Sequence, residues 1–378
     1  MKLDIPIKGI QGEIEENTLV IRSVSLLKTL SSAVLNGGLR EAKAIINQQV
    51  PIDYDDTDPE GFLKTIVRNL NLPPENVIGL MTAVDVLNVA VVTQKNQGLT
   101  VSAIVTAGVS NPATAGDTVI PHIKKSGTIN IILLIDGNLT EGCTVNAVKT
   151  ATEAKSAALR ELDIRSGFSG EPASGTTTDA IVVACTKAGE PMKYAGTTTK
   201  LGELIGKSVK KAVKEAIEKQ EGITPNRPLI RRLEERGITF EDLVKTALEL
   251  YLPHPGVETR EKAVQLLQEG FNQALSDVNI AALVMAGLRL EEDGQCSLIP
   301  GLLNETFEKD PAFLVADEIL GMAIANYIAG TRGVFEHVRF DKVKPGMLRK
   351  LRPILDDVIG GIIAGVSSNM YTKALSGK

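Results

Sequence analysis

The sequence predicts two domains of different class, an α/β domain with a mixed sheet and helices, then an all-α helical bundle. Three observations carry this. Up to about residue 187, short β-branched runs alternate with helical patterns, whereas beyond residue 228 strand signals nearly vanish. Between the two, "EGITPNRP" (221–228) sets a glycine and two prolines directly after an apolar helical stripe, which stops a helix and reads as a linker. At 378 residues the chain is also long enough for two separate cores. The expected boundaries are 1–221, a linker over 222–228, and 229–378.

In the first part, 18–24 is a predicted strand, and 86–94 with 99–109 form a predicted hairpin around "KNQG". "TINIILLI" (128–135) and "DAIVVACT" (179–186) read as central strands, apolar on both faces. Between them Ala147, Ala151, Ala154, Ala158 and Leu162 recur at helical spacing, an alanine-lined helix able to sit close on a sheet. A second stripe, from Leu201 and Leu204 to Ala216 and Ile217, closes this part. In the second part Thr239 caps a helix with Asp242 three residues on. Helical spacing also covers 258–275, 278–290, 311–329 and 347–374.

Composition excludes several classes. Apolar residues make up 43% and charged ones 23%, with a formal net charge of −5, no tryptophan and no basic block, so nucleic acid is not an expected partner. The start, "MKLDIPIKGIQGEIEE", lacks the apolar core of a signal peptide. The longest uncharged stretches, 99–116 and 358–372, are broken by Asn-Pro or too short to span a bilayer, so the chain reads as cytoplasmic with no membrane partner. Cys143, Cys185 and Cys296 are odd in number and far apart; they read as small buried residues, not a disulfide frame or zinc knuckle. A homo-oligomer is left open.

Two helical segments carry acids where apolar residues are expected. In the first, Asp310 reads as cap and Pro311 as first helical residue, and Asp317 and Glu318 follow; the second places Asp356 and Asp357. Three of these four acids have small residues four and eight positions on: Gly321 and Ala325 after Asp317, Gly360 and Ala364 after Asp356, Gly361 and Gly365 after Asp357. That spacing lets two helices approach and bring their carboxylates together. Such acids must be protonated, paired or bound to a cation. An oxygen-only set of Asp317, Glu318, Asp356 and Asp357 suits Mg²⁺ or a similar divalent ion. Asp341, Lys342 and Lys344 are expected on a loop between, where a lysine beside such a cluster would suit a phosphate ester. The competing account, first-turn acids plus surface lysines, is weaker because both acid pairs lie on otherwise apolar helices.

"KDPAFLVADEILG", "FDKVKPG" and "DDVIGGIIAG" resemble the phosphatidylglycerophosphatase A family and its soluble relatives, which include α-ribazole phosphatases. The likeness spans roughly 229–374 and implies an all-α fold and metal-dependent phosphomonoester hydrolysis by Asp317, Glu318, Asp341, Lys344, Asp356 and Asp357. The absence of evident membrane-spanning segments counts against a lipid substrate. "LSSAVLNGG", "GLMTAVDV", "TAGVSNPATAGD", "GTINIILLID", "TATEAKSAALREL" and "SGEPASGTTTDAIVVA" resemble adenosylcobinamide amidohydrolase over nearly all of 1–220. The order of the two is similar to that of bifunctional cobamide-salvage enzymes. The resemblance implies adenosylcobinamide and α-ribazole 5′-phosphate as substrates.

Amide hydrolysis needs a nucleophile, a proton donor for the amine and donors for the oxyanion. Thr176, Thr177, Thr178 and Asp179 at a strand entrance, and Asn111, Thr114 and Asp117 at a strand exit, could supply them. Residues 166–174 read as a flap over a bulky corrinoid. Alternatively "GTTTD" is a turn whose hydroxyls satisfy the backbone. His122, His254 and His337 are isolated, and His122 after Pro121 reads as a surface residue, so neither a histidine-rich zinc site nor a Ser-His-Asp triad is supported. No cofactor is expected for this half. A threonine nucleophile, or water activated by Asp117, Glu153 or Asp179, remains. The rival functions are a non-catalytic corrinoid carrier and a phosphatase for another phosphomonoester.

Overall fold

A computed structural model describes residues 1–118 and 127–376 and divides the chain into two compact units, Met1–Pro225 and Asn226–Lys378. His122 lies outside the described residues.

Strands β1 (Lys2–Leu3), β2 (Ile10–Glu15), β3 (Thr18–Ser31) and β4 (Gly38–Gln49) lead to helix α1 (Pro59–Asn69), then β5 (Val77–Thr82), β6 (Ala90–Asn96) and β7 (Leu99–Ala107). After β8 (Pro112–Ala113) come β9 (Ile129–Asp136), β10 (Asn138–Leu139), α2 (Glu141–Glu161), β11 (Gly175–Thr176), β12 (Ala180–Cys185), β13 (Pro191–Met192) and α3 (Lys200–Glu221). A nine-stranded mixed sheet runs β1-β2-β3-β12-β9-β7-β6, with β4 joined to β3 and β5 to β4. The pairs β9–β12 and β4–β5 are parallel. The expected hairpin is β6–β7, paired Asn96 to Leu99 at its tip.

Period-2 alternation splits β9 between two cores. Ile129, Ile131, Leu133 and Ile135 meet Ala147, Ala151, Ala158 and the α3 stripe on one face, while Ile132 and Leu134 meet Ile45, Ile78 and Leu80 on the other. Gly222 ends α3 in the left-handed conformation, φ 68°. The sheet also curls. Asn47 on β4 and Asn130 on β9 share a 2.9 Å hydrogen bond across two intervening strands, a span of about 14 Å in a flat sheet.

The second unit is helical: α4 (Leu229–Glu234), α5 (Phe240–Glu249), α6 (Arg260–Leu275), α7 (Val278–Gln295), α8 (Asn304–Phe307), α9 (Ala316–Val343) and α10 (Pro353–Ser376). Thr239 and Asp242 form the expected reciprocal cap on α5. Ile354, Val358, Ile359, Ile362 and Ile363 of α10 form the middle of the core, with α6 and α7 against them. Among the described residues no helix is long and apolar enough to cross a membrane.

Several local expectations are corrected. Asp310 and Pro311 do not open a helix: Asp310 has φ 49° and α9 starts at Ala316. Asp341 and Lys342 belong to α9, and only Lys344 leaves it, as its left-handed C-cap. Cys143 and Cys185 are buried, but Cys296 is exposed. Most consequential, α9 is two helical segments joined at Ala329–Gly330, where Gly330 takes φ 63°, ψ −154°, a region only glycine enters readily. A Cβ on Gly333 would strike the Ala325 carbonyl, and one on Gly321 the His337 ring. In a straight helix those pairs stand about 12 and 24 Å apart, so the segments fold back on each other.

Candidate functional sites

In the first unit a cavity of about 540 Å³ is lined by the ends of β4 and β5 with their following loops, and by the residues entering β9 and β12. Asn111, Gly127, Thr128, Thr177 and Thr178 form one wall, and Asp53, Tyr54, Asp55, Met81 and Thr82 belong to the other. The sheet curl brings these walls together. Asn130 donates to the Met81 carbonyl at 2.7 Å, and Asn47 donates to Thr106 at 2.9 Å, so a buried polar network ties β4, β5, β7 and β9 beside the cavity.

Asn111 Nδ2 donates to Thr177 Oγ1 at 2.6 Å, while Asn111 Oδ1 is buried without a partner. That bond fills an acceptor position on Thr177 and leaves its hydroxyl proton for the cavity. Thr178 pairs with Thr128 and reaches the Gly127 carbonyl at 3.1 Å. Gly127 is required here, because a Cβ would sit 2.5 Å from Asn111 Oδ1.

Asp179 stands behind the wall. Its carboxylate accepts the amides of Thr176 and Ile129, each at 3.1 Å, and the Thr176 hydroxyl, and pairs with Lys155 of α2. It therefore fixes the threonine turn to β9 and α2. Asp117 accepts from Ser166 at 2.5 Å and from the Thr114 amide at 2.7 Å. Burial would raise its carboxyl, yet these bonds and one from Ser169 hold it below the usual range. Neither Asp117 nor Glu153 lines the cavity; Glu153 is half exposed on α2 beside Lys149. Residues 166–174 do not line it either. Gly167 donates to the Pro112 carbonyl at 2.9 Å and Ser174 to that of Ala113 at 3.0 Å, which makes the expected flap a pinned turn. Sequence reading missed Asp53, Tyr54 and Asp55. The signal was present in "DYDD", which begins four positions past the end of β4. Burial first, then the charge of Asp56, pushes the Tyr54 phenol up.

In the second unit the fold-back of α9 and the start of α10 gather the acids. Carboxylate oxygens of Asp317, Glu318 and Asp357 all lie within 4.8 Å of one another. Asp356 turns away to Lys344, 2.5 Å from its Nζ, which also stands 3.5 Å from Asp310 and 3.9 Å from Asp341. Asp317, Asp356 and Asp357 are buried, with Asp317 only 1% exposed. Burial pushes Asp317 up to about 7, helped by Glu318, which is itself lowered. It pushes Asp357 up to about 8, with Asp356 and Asp341 adding repulsion. Asp356 reaches only about 6, because Lys344 opposes burial. Burial alone would lower Lys344, but Asp356, Asp310 and Asp341 raise it. Oxygen donors crowded in this way fit a hard divalent cation.

His337, isolated in sequence, is buried here. Its Nε2 lies 3.1 Å from the Asp357 carbonyl oxygen and 3.4 Å from Asp357 Oδ1. Burial holds the ring below its ordinary value against Asp357, Asp341 and Glu318. Only the reversal at Gly330 brings it into the site.

The sequence profile described as adenosylcobinamide amidohydrolase matches residues 5–225, more than half of the chain. The chain belongs to the adenosylcobinamide amidohydrolase family. An adenosylcobinamide amidohydrolase of Methanosarcina mazei is 34% identical over 217 residues, covering 55% of this chain and 98% of that protein. An uncharacterized protein of Methanocaldococcus jannaschii is 34% identical over 236 residues, 57% of this chain and 91% of its own. Residues 237–372 match the profile described as phosphatidylglycerophosphatase A, so a second, phosphatase-like region follows the amidohydrolase region. Among solved structures, the low temperature requirement C protein of Listeria monocytogenes is 27% identical, covering 38% of this chain and 93% of its own at a TM-score of 0.34.

Proposed function

We propose that the first unit hydrolyses the aminopropanol amide of adenosylcobinamide to adenosylcobyrate, and the second converts α-ribazole 5′-phosphate to α-ribazole. For the first reaction the carrying observation is the Asn111–Thr177 bond at the wall of the large cavity, inside the family-matched region. Water adds to the amide carbon and the C–N bond breaks, the amine leaving with a proton. Thr177 donates its uncommitted hydroxyl proton to the developing oxyanion. Thr178, Thr176 and Asp179 hold the turn that aims it.

For the second, the carrying observation is the clustering of Asp317, Glu318 and Asp357 beside Lys344. Those three acids would hold Mg²⁺ or a similar ion, which when bound would supply charge neutralisation at the phosphate oxygens. Lys344, aimed by Asp356, binds the phosphate from the other side. Asp341, a half-exposed carboxylate, accepts the proton of the attacking water and passes it to the ribose 5′-oxygen as the P–O bond breaks, leaving α-ribazole and inorganic phosphate.

The test is to incubate the intact chain separately with adenosylcobinamide and with α-ribazole 5′-phosphate, with and without chelator, and to separate products by chromatography. Adenosylcobyrate in both conditions and α-ribazole only without chelator are expected. Absence of either product removes that half of the proposal.

A further inference from the structure

Glu291 is a buried carboxylate that neither reaction uses. It lies on α7, 3% exposed, within the core-facing stripe Val284, Gly287, Leu288 and Gly294. Its Oε2 accepts the backbone N–H groups of Ile354 and Leu355 at 3.0 and 3.1 Å, and its Oε1 accepts from Gln295 at 3.1 Å. Those two amides open α10, and the first amides of a helix have no partners within it. The chain offers no local cap: Leu351 and Arg352 precede Pro353, and none of the three is a capping residue type. The acceptor comes instead from another helix. A buried carboxylate facing amides at a helix N-terminus is also favourably placed in the field of that helix.

Ile354 and Leu355 immediately precede Asp356 and Asp357. One turn back on α7, a Cβ on Gly287 would lie 2.6 Å from Val358 Cγ2, so the two helices are pressed together at this level. We propose that Glu291 is a positioning residue for the divalent-cation site: by holding the first turn of α10 it sets where Asp357 meets Asp317 and Glu318, and where Asp356 meets Lys344. This rests on the cation reading above.

The experiment titrates Mn²⁺ into the intact chain by calorimetry and electron paramagnetic resonance, comparing the parent with Glu291→Gln, Glu291→Asp and Glu291→Ala, each checked by circular dichroism. Gln keeps an oxygen at the right reach and should bind Mn²⁺ as the parent does. Asp keeps the charge but falls one methylene short, and Ala removes the acceptor. Both should weaken Mn²⁺ about tenfold or more, the range for partners that orient metal ligands. Should the Ala variant fail to fold, the Asp variant decides. Parent-like affinity in folded Glu291→Asp overturns the inference, and so does a Gln variant as weak as Asp, since charge would then matter more than the acceptor. A parent that binds no Mn²⁺ removes the cation reading together with this inference.

Discussion

Gly361 of α10 packs directly on the carbonyl oxygen of Gly321 in α9, with no room for a methyl group between them. This contact lets the acids at the start of both helices share one site. Gly361→Ala should destabilise the second unit by about 1–3 kcal/mol, the usual range for overpacking. It should also weaken Mn²⁺ binding. Thermal unfolding and a Mn²⁺ titration check both; an unchanged melting temperature would mean the helices separate without cost.

Asp317→Asn or Asp357→Asn should abolish phosphate release and most divalent-ion binding. The metal-free fold should not suffer, because burial already disfavours the charged carboxylate at both positions and a neutral amide removes that cost. Phosphatase activity that survives a chelator in the parent would contradict the site.

Burial of the acids, with the crowding of like charges behind it, also ties the stability of the metal-free protein to pH. Asp356, Asp317 and Asp357 titrate in the fold at about 6, 7 and 8, above the ordinary value near 4. The folded state keeps these protons longer than the unfolded chain, so the three acids together make stability fall as pH rises from about 4 to about 8. They are opposed below about 6.5 by the single His337 ring, which burial holds below its ordinary value. Cation binding must displace the protons and should tighten over the upper part of that window. Melting of the metal-free chain at pH 5 and pH 8 checks the sign: a higher melting temperature at pH 8 would reverse it.

Asp179→Ala should slow amide hydrolysis about a hundredfold through misplacement of Thr177, since about 1 Å of misplacement can cost that much. The phosphatase rate should be unchanged. A folded variant that cleaves adenosylcobinamide at the parent rate would make the threonine turn a bystander.

Fragments 1–225 and 226–378 should each fold and keep their own reaction. Each unit has its own apolar core, and α3 stops at Gly222 with its stripe already buried against the sheet. Activity and unfolding of each purified fragment test this, and activity recovered only on mixing would refute it.

What the sequence made legible was whatever local periodicity encodes. β9 and β12 were visible as apolar runs, α2 as an alanine stripe, and the paired acids as polar residues on apolar helices. Asp356 could not be separated from Asp357 in this way, because adjacent residues on a helix point in different directions and only the fold shows which meets Lys344. Asp53 and Asp55 reach the cavity through the curl of the sheet, a long-range property absent from any short window. Gly330 directly follows the predicted helix over 311–329 and reads as its stop. Nothing local shows that it reverses the chain and carries His337 into the site.

That reversal also bears on how the second unit acquires its structure. Every side chain of the acid site, from Asp317 to Asp357, comes from one continuous stretch comprising the two arms of α9, a short turn and the start of α10. Few chain-closure steps separate its parts, and contacts between such neighbours in sequence form faster than the long-range strand pairings that complete the sheet of the first unit, such as Val183 with Leu30. During refolding from denaturant, the capacity to bind a divalent ion should therefore return before the cavity of the sheet has closed.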